Sequence, residues 1–97
     1  MEKSLTKLLE EEEYHFNSNN PNLPLSEKLI LSIMLYNNIE QLVILGNKKI
    51  EQEIKFLQNH FENEYKNKRI IYNITDYDGD SYVITNAKGE VLYNKKP

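Results

Sequence analysis

Residues 39–46 read Ile39-Glu40-Gln41-Leu42-Val43-Ile44-Leu45-Gly46, and the fold turns on whether this stretch is helix or strand. Leu42 to Leu45 is an unbroken apolar run, which suits a buried strand as well as a piece of buried helix. Gly46 tips the reading toward a short helix over Ile39–Leu45, because a glycine just past the last apolar residue supplies the left-handed conformation in which many helices end. On that reading everything up to about residue 66 is helical and strands are confined to the remainder.

Toward the N-terminus, Ser26 is a preferred helix cap and Glu27 suits the positive end of the helix dipole. Leu29, Ile30, Ile33 and Met34 then follow the 3.6-residue period, while Leu31, Leu35 and Tyr36 make the helix apolar nearly all round, the mark of burial on several sides. Asn37-Asn38 breaks or kinks it. Residues 17–24, with two prolines and no periodicity, read as a loop. Before it, Leu5, Leu8, Leu9 and Phe16 lie on one face of an amphipathic helix from Glu2 to about Phe16.

Toward the C-terminus, Asn47 caps a third helix whose apolar stripe is Ile50, Ile54, Leu57, Phe61 and Tyr65. The stripe suits a core-facing helix or a short seam between two copies of the chain. After Lys66-Asn67-Lys68 the period changes to two. Arg69–Tyr77 reads as a strand, Asp78-Gly79 as a tight two-residue turn, Ser81–Asn86 as a second strand, Lys88-Gly89 as another turn and Glu90–Asn94 as a third strand. The expected fold is α+β: three N-terminal helices packed on one face of a C-terminal three-stranded antiparallel meander. It forms a single domain over 1–97, helical over about 2–66 and β over about 69–94. The turn at Asp78-Gly79 sets Ile74 opposite Val83, so Ile70, Tyr72, Ile74, Val83 and Leu92 share one face. Ile71, Tyr77, Tyr82, Ile84, Val91 and Tyr93 share the other.

Composition narrows function more than any motif does. The 97 residues carry a formal charge of −3 and no cysteine, with a pI near 5.4. Lack of cysteine removes disulfides and thiolate metal sites and fits a reducing, cytoplasmic setting. Met1-Glu2-Lys3 does not begin a signal peptide, and Leu29–Leu45 is too short and too interrupted to span a bilayer. Affinity for nucleic acid comes largely from cations on phosphates. An acidic chain with one arginine, Arg69, therefore argues against direct nucleic-acid binding. Abundant Lys, Asn and Ile with a single alanine, Ala87, point to an AT-rich genome, such as a low-GC bacterium or its phage.

Candidate chemistry is sparse. Asp76-x-Asp78-Gly79-Asp80 resembles the start of a calcium loop, but Ser81 and Ala87 stand where that loop needs Gly and Glu, so a turn explains it better. His15 and His60 are the only histidines; His60 has Glu64 at i+4, but one His and one Glu on a charged face read as a solvated pair. Gly46, Gly79 and Gly89 are isolated, so no phosphate loop is present. No catalytic residue, metal site or cofactor is expected, and the chain reads as non-enzymatic.

What remains is binding. Tyr77, Tyr82 and Tyr93 on the sheet face turned from the helices would form an exposed aromatic surface of the kind enriched at interfaces. The acidic residues Asp76, Asp78 and Asp80 would flank it, and Glu10, Glu11, Glu12 and Glu13 would form a second acidic patch. The expected partner is a protein, such as a host nuclease or other nucleic-acid-binding protein. That makes the chain a small phage or mobile-element inhibitor of anti-defence, anti-CRISPR or immunity type. The alternative is a winged-helix-like DNA-binding regulator built around Gly46. A homodimer through the Ile50–Tyr65 helix is compatible with either.

Overall fold

The computed structural model describes residues 25–96. The helix expected at Glu2–Phe16, the loop 17–24, the patch Glu10–Glu13 and His15 lie outside them. The chain divides into two compact units after Asn38, and each is taken by itself.

In the first unit, helix α1 spans Glu27–Tyr36. It starts at Ser26, whose hydroxyl accepts a hydrogen bond from the Leu29 amide at 3.0 Å, satisfying one of the free donors of the first turn. It stops because the Asn37 side chain turns back to the Ile33 carbonyl at 2.8 Å and Asn38 enters the left-handed region at φ 51°, a conformation that asparagine tolerates better than most residues. Leu29, Ile30, Ile33 and Met34 are buried, whereas Leu35 and Tyr36 are exposed. The helix is therefore buried on one face, not on several sides.

The second unit overturns the expected architecture. Gln41–Gly46 is a strand, β1. A short 3-10 turn, Lys48–Ile50, leads into helix α2, Glu51–Glu64. Strands β2 (Arg69–Ile74), β3 (Tyr82–Thr85) and β4 (Val91–Lys95) follow. They form one four-stranded sheet in the order β2-β1-β3-β4. β1 runs parallel to β2 and antiparallel to β3, and β3 pairs antiparallel with β4. Among the described residues there are thus two helices, in the middle of the chain, and a mixed sheet, in place of three N-terminal helices and a three-stranded meander. The segment that runs into Gly46 is the strand β1, so the helix–Gly–helix arrangement around Gly46 on which the winged-helix layout was built is not formed.

The cause of the difference lies in β1. Leu42-Val43-Ile44-Leu45 is apolar throughout, so its sequence lacks the alternation that marks a strand, although burial alternates along it, with Leu42 and Ile44 buried and Val43 and Leu45 half-buried. Gly46 does not have positive φ, so it is not a helix terminator. By inserting between β2 and β3, β1 removes the hairpin expected at Asp78-Gly79. Only the hairpin at Lys88-Gly89 forms, with Gly89 at φ 88°. Its pairing slips between Ile84–Tyr93 and Thr85–Val91, leaving Leu92 as the extra residue of a bulge.

Register then assigns the faces. Leu42, Ile44 and Gly46 lie beside Ile70, Tyr72 and Ile74 on one side and beside Ile84 and Tyr82 on the other, with Tyr93 next to Ile84. α2 covers this face along β2. Its stripe Ile54, Leu57 and Phe61 is buried together with Ile50, Leu42, Ile44, Ile70, Tyr82, Ile84 and Tyr93. Of the two readings of this stripe, core-facing helix and short seam, the core-facing one describes Ile50, Ile54, Leu57 and Phe61. Tyr82 and Tyr93 belong to that core and not to an exposed face, with rings 5.9 Å apart. Val83 and Ile71 share the opposite face.

Candidate interaction surface

The C-terminal ends of β1 and β2 carry the most elaborate polar construction in the described residues. It is centred on Asn47, the residue after β1. Its carbonyl side-chain oxygen accepts from the Lys49 amide at 3.0 Å, capping the turn that opens α2. Its side-chain nitrogen donates to the carbonyls of Tyr77 at 2.8 Å and Gly79 at 2.6 Å. Its main-chain oxygen accepts the Tyr72 hydroxyl. One residue thus ties together β1, the start of α2, β2 and the connection 75–81 that leads to β3.

The connection is fixed at further points. The Thr75 amide donates to the Gly46 carbonyl at 2.7 Å, and the Ser81 amide to the Asp78 carbonyl at 3.0 Å. Gly79 takes φ 59°; Asp78 does not join it there, so the turn is not the two-residue hairpin turn expected from the Asp-Gly pair. With its main chain held from below and Ser81 buried, the connection presents the side chains of residues 76–80 outward. Asp76, Asp78 and Asp80 are exposed, Tyr77 is 36% exposed and Ile74, at the end of β2, is 58% exposed. Asp80 lies 3.6 Å from the Lys49 ammonium, both well solvated, so that pair contributes little.

Of the residues expected to bind a partner, the structure brings together Tyr77, Asp76, Asp78 and Asp80. It separates Tyr82 and Tyr93 from them by burying both. It adds Ile74 and Asn47. The sequence marks Asn47 only as a helix cap; its larger role depends on β1 being a strand, because only then does Asn47 lie beside the end of β2.

Tyr72 is half-buried under this construction, and its phenol pKa is raised above the usual 10.0 by desolvation first and by the negative charge of Glu51 second. His60 sits among aromatic rings, stacked on Phe56 at 6.2 Å and edge-on to Tyr65 at 5.8 Å. Among the described residues no group of three or more Asp, Glu or His could hold a metal ion, and no helix is long and apolar enough to cross a membrane.

No family model, no curated protein and no solved structure matches the chain. The reading of function therefore rests on its own residues.

Proposed function

We propose that the protein acts without catalysis, by binding a basic protein partner through the surface formed by Ile74, Asp76, Tyr77, Asp78 and Asp80. The observation that supports this is the double hydrogen bond from Asn47 to the main chain beneath these side chains. A surface held in one conformation before binding loses less freedom on association than a mobile loop does. An apolar and aromatic centre edged by carboxylates matches a partner that offers Lys and Arg around an apolar groove.

A nucleic-acid-handling protein, whose binding site is basic, is the partner class this chemistry suits best. Occupying that site would make the chain a small inhibitor of anti-defence or immunity type, acting in the cytoplasm. The overall negative charge supports the same direction, because it favours approach to a basic surface.

The test is capture of partners by the wild-type chain and by two variants, D76N/D78N/D80N and Y77A. A partner that binds the wild type, weakens as salt is raised and is lost by the triple variant supports the reading. A partner held equally by the triple variant and by Y77A refutes the assigned surface.

A further inference from the structure

A second polar site lies at the other end of the parallel pair, about 20 Å away along the strands. The start of β1, the last turn of α2 and the link into β2 enclose a cleft of about 360 Å³ lined by Glu40, Glu62, Lys66, Asn67, Lys68 and Arg69. The cations come from one tract of the chain and the two carboxylates from the elements flanking it. The walls are fixed: the Arg69 amide donates to the Glu40 carbonyl at 2.8 Å, and the Lys68 ammonium donates to the Ile39 carbonyl at 3.2 Å in a part-buried position.

Among the described residues, no ion pair joins two of the side chains that line the cleft. Lys49 pairs with Asp80 and Lys55 with Glu51, and neither pair lies in the cleft. Arg69, the only arginine of the chain, makes no side-chain hydrogen bond there. A cleft lined by both signs of charge, with no ion pair between them among the described residues, is complementary to a ligand that carries both. Its size is at the lower end of small-molecule sites, which begin near about 300 Å³. It has no aromatic or aliphatic wall on which a base or a hydrocarbon could rest.

We propose that this cleft binds a small zwitterion. An oxyanionic group, carboxylate or phosphate, faces Arg69 and Lys66, and an ammonium group faces Glu40 and Glu62. Arg69 supplies the planar fork that suits either oxyanion. This site is independent of the surface proposed for a protein partner.

The experiment is a titration of the whole chain followed by the backbone amide signals of Glu40 and Lys66–Arg69. Beta-alanine and phosphoethanolamine are the two zwitterions; acetate, inorganic phosphate and ethanolamine are their separate halves. One zwitterion should bind at least about tenfold more tightly than its matching anion, as a second charge-assisted contact implies, and the tighter of the two identifies the oxyanion. E40Q/E62Q should bring the zwitterion down to the level of the anion, and R69Q should abolish both. These side chains are exposed or half-buried, so the variants keep the fold, which circular dichroism checks. Equal binding of anion and zwitterion, binding unchanged in R69Q, or no shift of these amides by any probe overturns the proposal.

Discussion

The side-chain nitrogen of Asn47 donates to the main-chain oxygen of Gly79 at 2.6 Å, across thirty-two residues of chain. The same nitrogen holds the Tyr77 carbonyl, while the side-chain oxygen caps the turn before α2. Two variants separate these roles. Asp keeps the acceptor that caps the turn but has no N–H to donate, and its charge faces two carbonyls; Ala loses both. N47A should cost about 2–3 kcal/mol, as a lost cap plus lost hydrogen bonds. N47D should retain the amide protection of Lys49 yet lose that of the 75–81 connection. Urea unfolding gives the first quantity and hydrogen exchange the second.

The part played by Asn47 shows where the sequence could and could not be read. Ser26, the stripe of α2 and the Lys88-Gly89 turn are local signals, and each forms what its chemistry favours. The strand β1 carries no local signal, because its residues are apolar on both faces, the same run that a short buried helix shows, even though Leu42 and Ile44 are buried and Val43 and Leu45 are half-buried. That one ambiguity spread to everything after it. With β1 taken as helix, Arg69–Tyr77 and the strand after it had only each other to pair with, and an Asp-Gly pair between them invited a hairpin. The actual neighbours are non-local, and a change of register by one residue exchanges the two faces of a strand. That exchange is why Tyr82 and Tyr93 lie on the buried face and not on the exposed face expected from a hairpin at Asp78-Gly79. Tyr77 and the three aspartates stayed exposed because they lie in a connection, where pairing does not decide exposure.

Gly46 makes a second prediction possible. A Cβ added there would stand 2.6 Å from Ile50 Cδ1 and 3.4 Å from Tyr72 Cε1. Ile50 is buried, with 1% exposure, so its end methyl has little room to move. G46A should destabilise by about 1–3 kcal/mol, the usual range for overpacking. I50V removes the crowded methyl at a cost of about 0.5–1.5 kcal/mol. The double variant G46A/I50V should therefore be more stable than the sum of the single changes allows, by roughly 1 kcal/mol or more. Strict additivity in chemical denaturation would show that the crowding is relieved elsewhere.

Tyr82 and Tyr77 provide a contrast within one residue type. Tyr82 is fully buried, packed near Tyr93 and under the Lys95 ammonium at 5.9 Å. Truncating it to Ala should cost about 3–5 kcal/mol, the range for large aromatic side chains in cores. That is a large share of the stability of a small domain. Y77A, at an exposed position, should change stability by less than about 0.5 kcal/mol. Thermal or urea unfolding of the two variants measures the difference directly. Comparable losses would show that Tyr77 is held by more than its exposed position indicates.

Tyr72 gives the pH dependence. Burial, and then the charge of Glu51, raise its phenol pKa above 10.0 in the folded chain. Between the unfolded and folded values the folded state holds more protons than the unfolded state, so stability falls as pH rises. This contribution is fully present below about 10, declines as pH climbs through the interval and is gone above the folded value. The comparison that isolates it is wild type against Y72F. Y72F removes the hydroxyl that donates to the Asn47 carbonyl, so it should be less stable at neutral pH by about 1 kcal/mol. Because phenylalanine does not titrate, the gap between the two should narrow above pH 10 as the wild type loses what the variant never had. Absorbance of tyrosinate offers an independent check, since the difference between the titrations of the folded wild type and of Y72F isolates Tyr72, whose ionisation should fall above 10.0. A gap that stays constant through the alkaline range would mean that the Tyr72 hydroxyl is as easily ionised in the fold as in the unfolded chain.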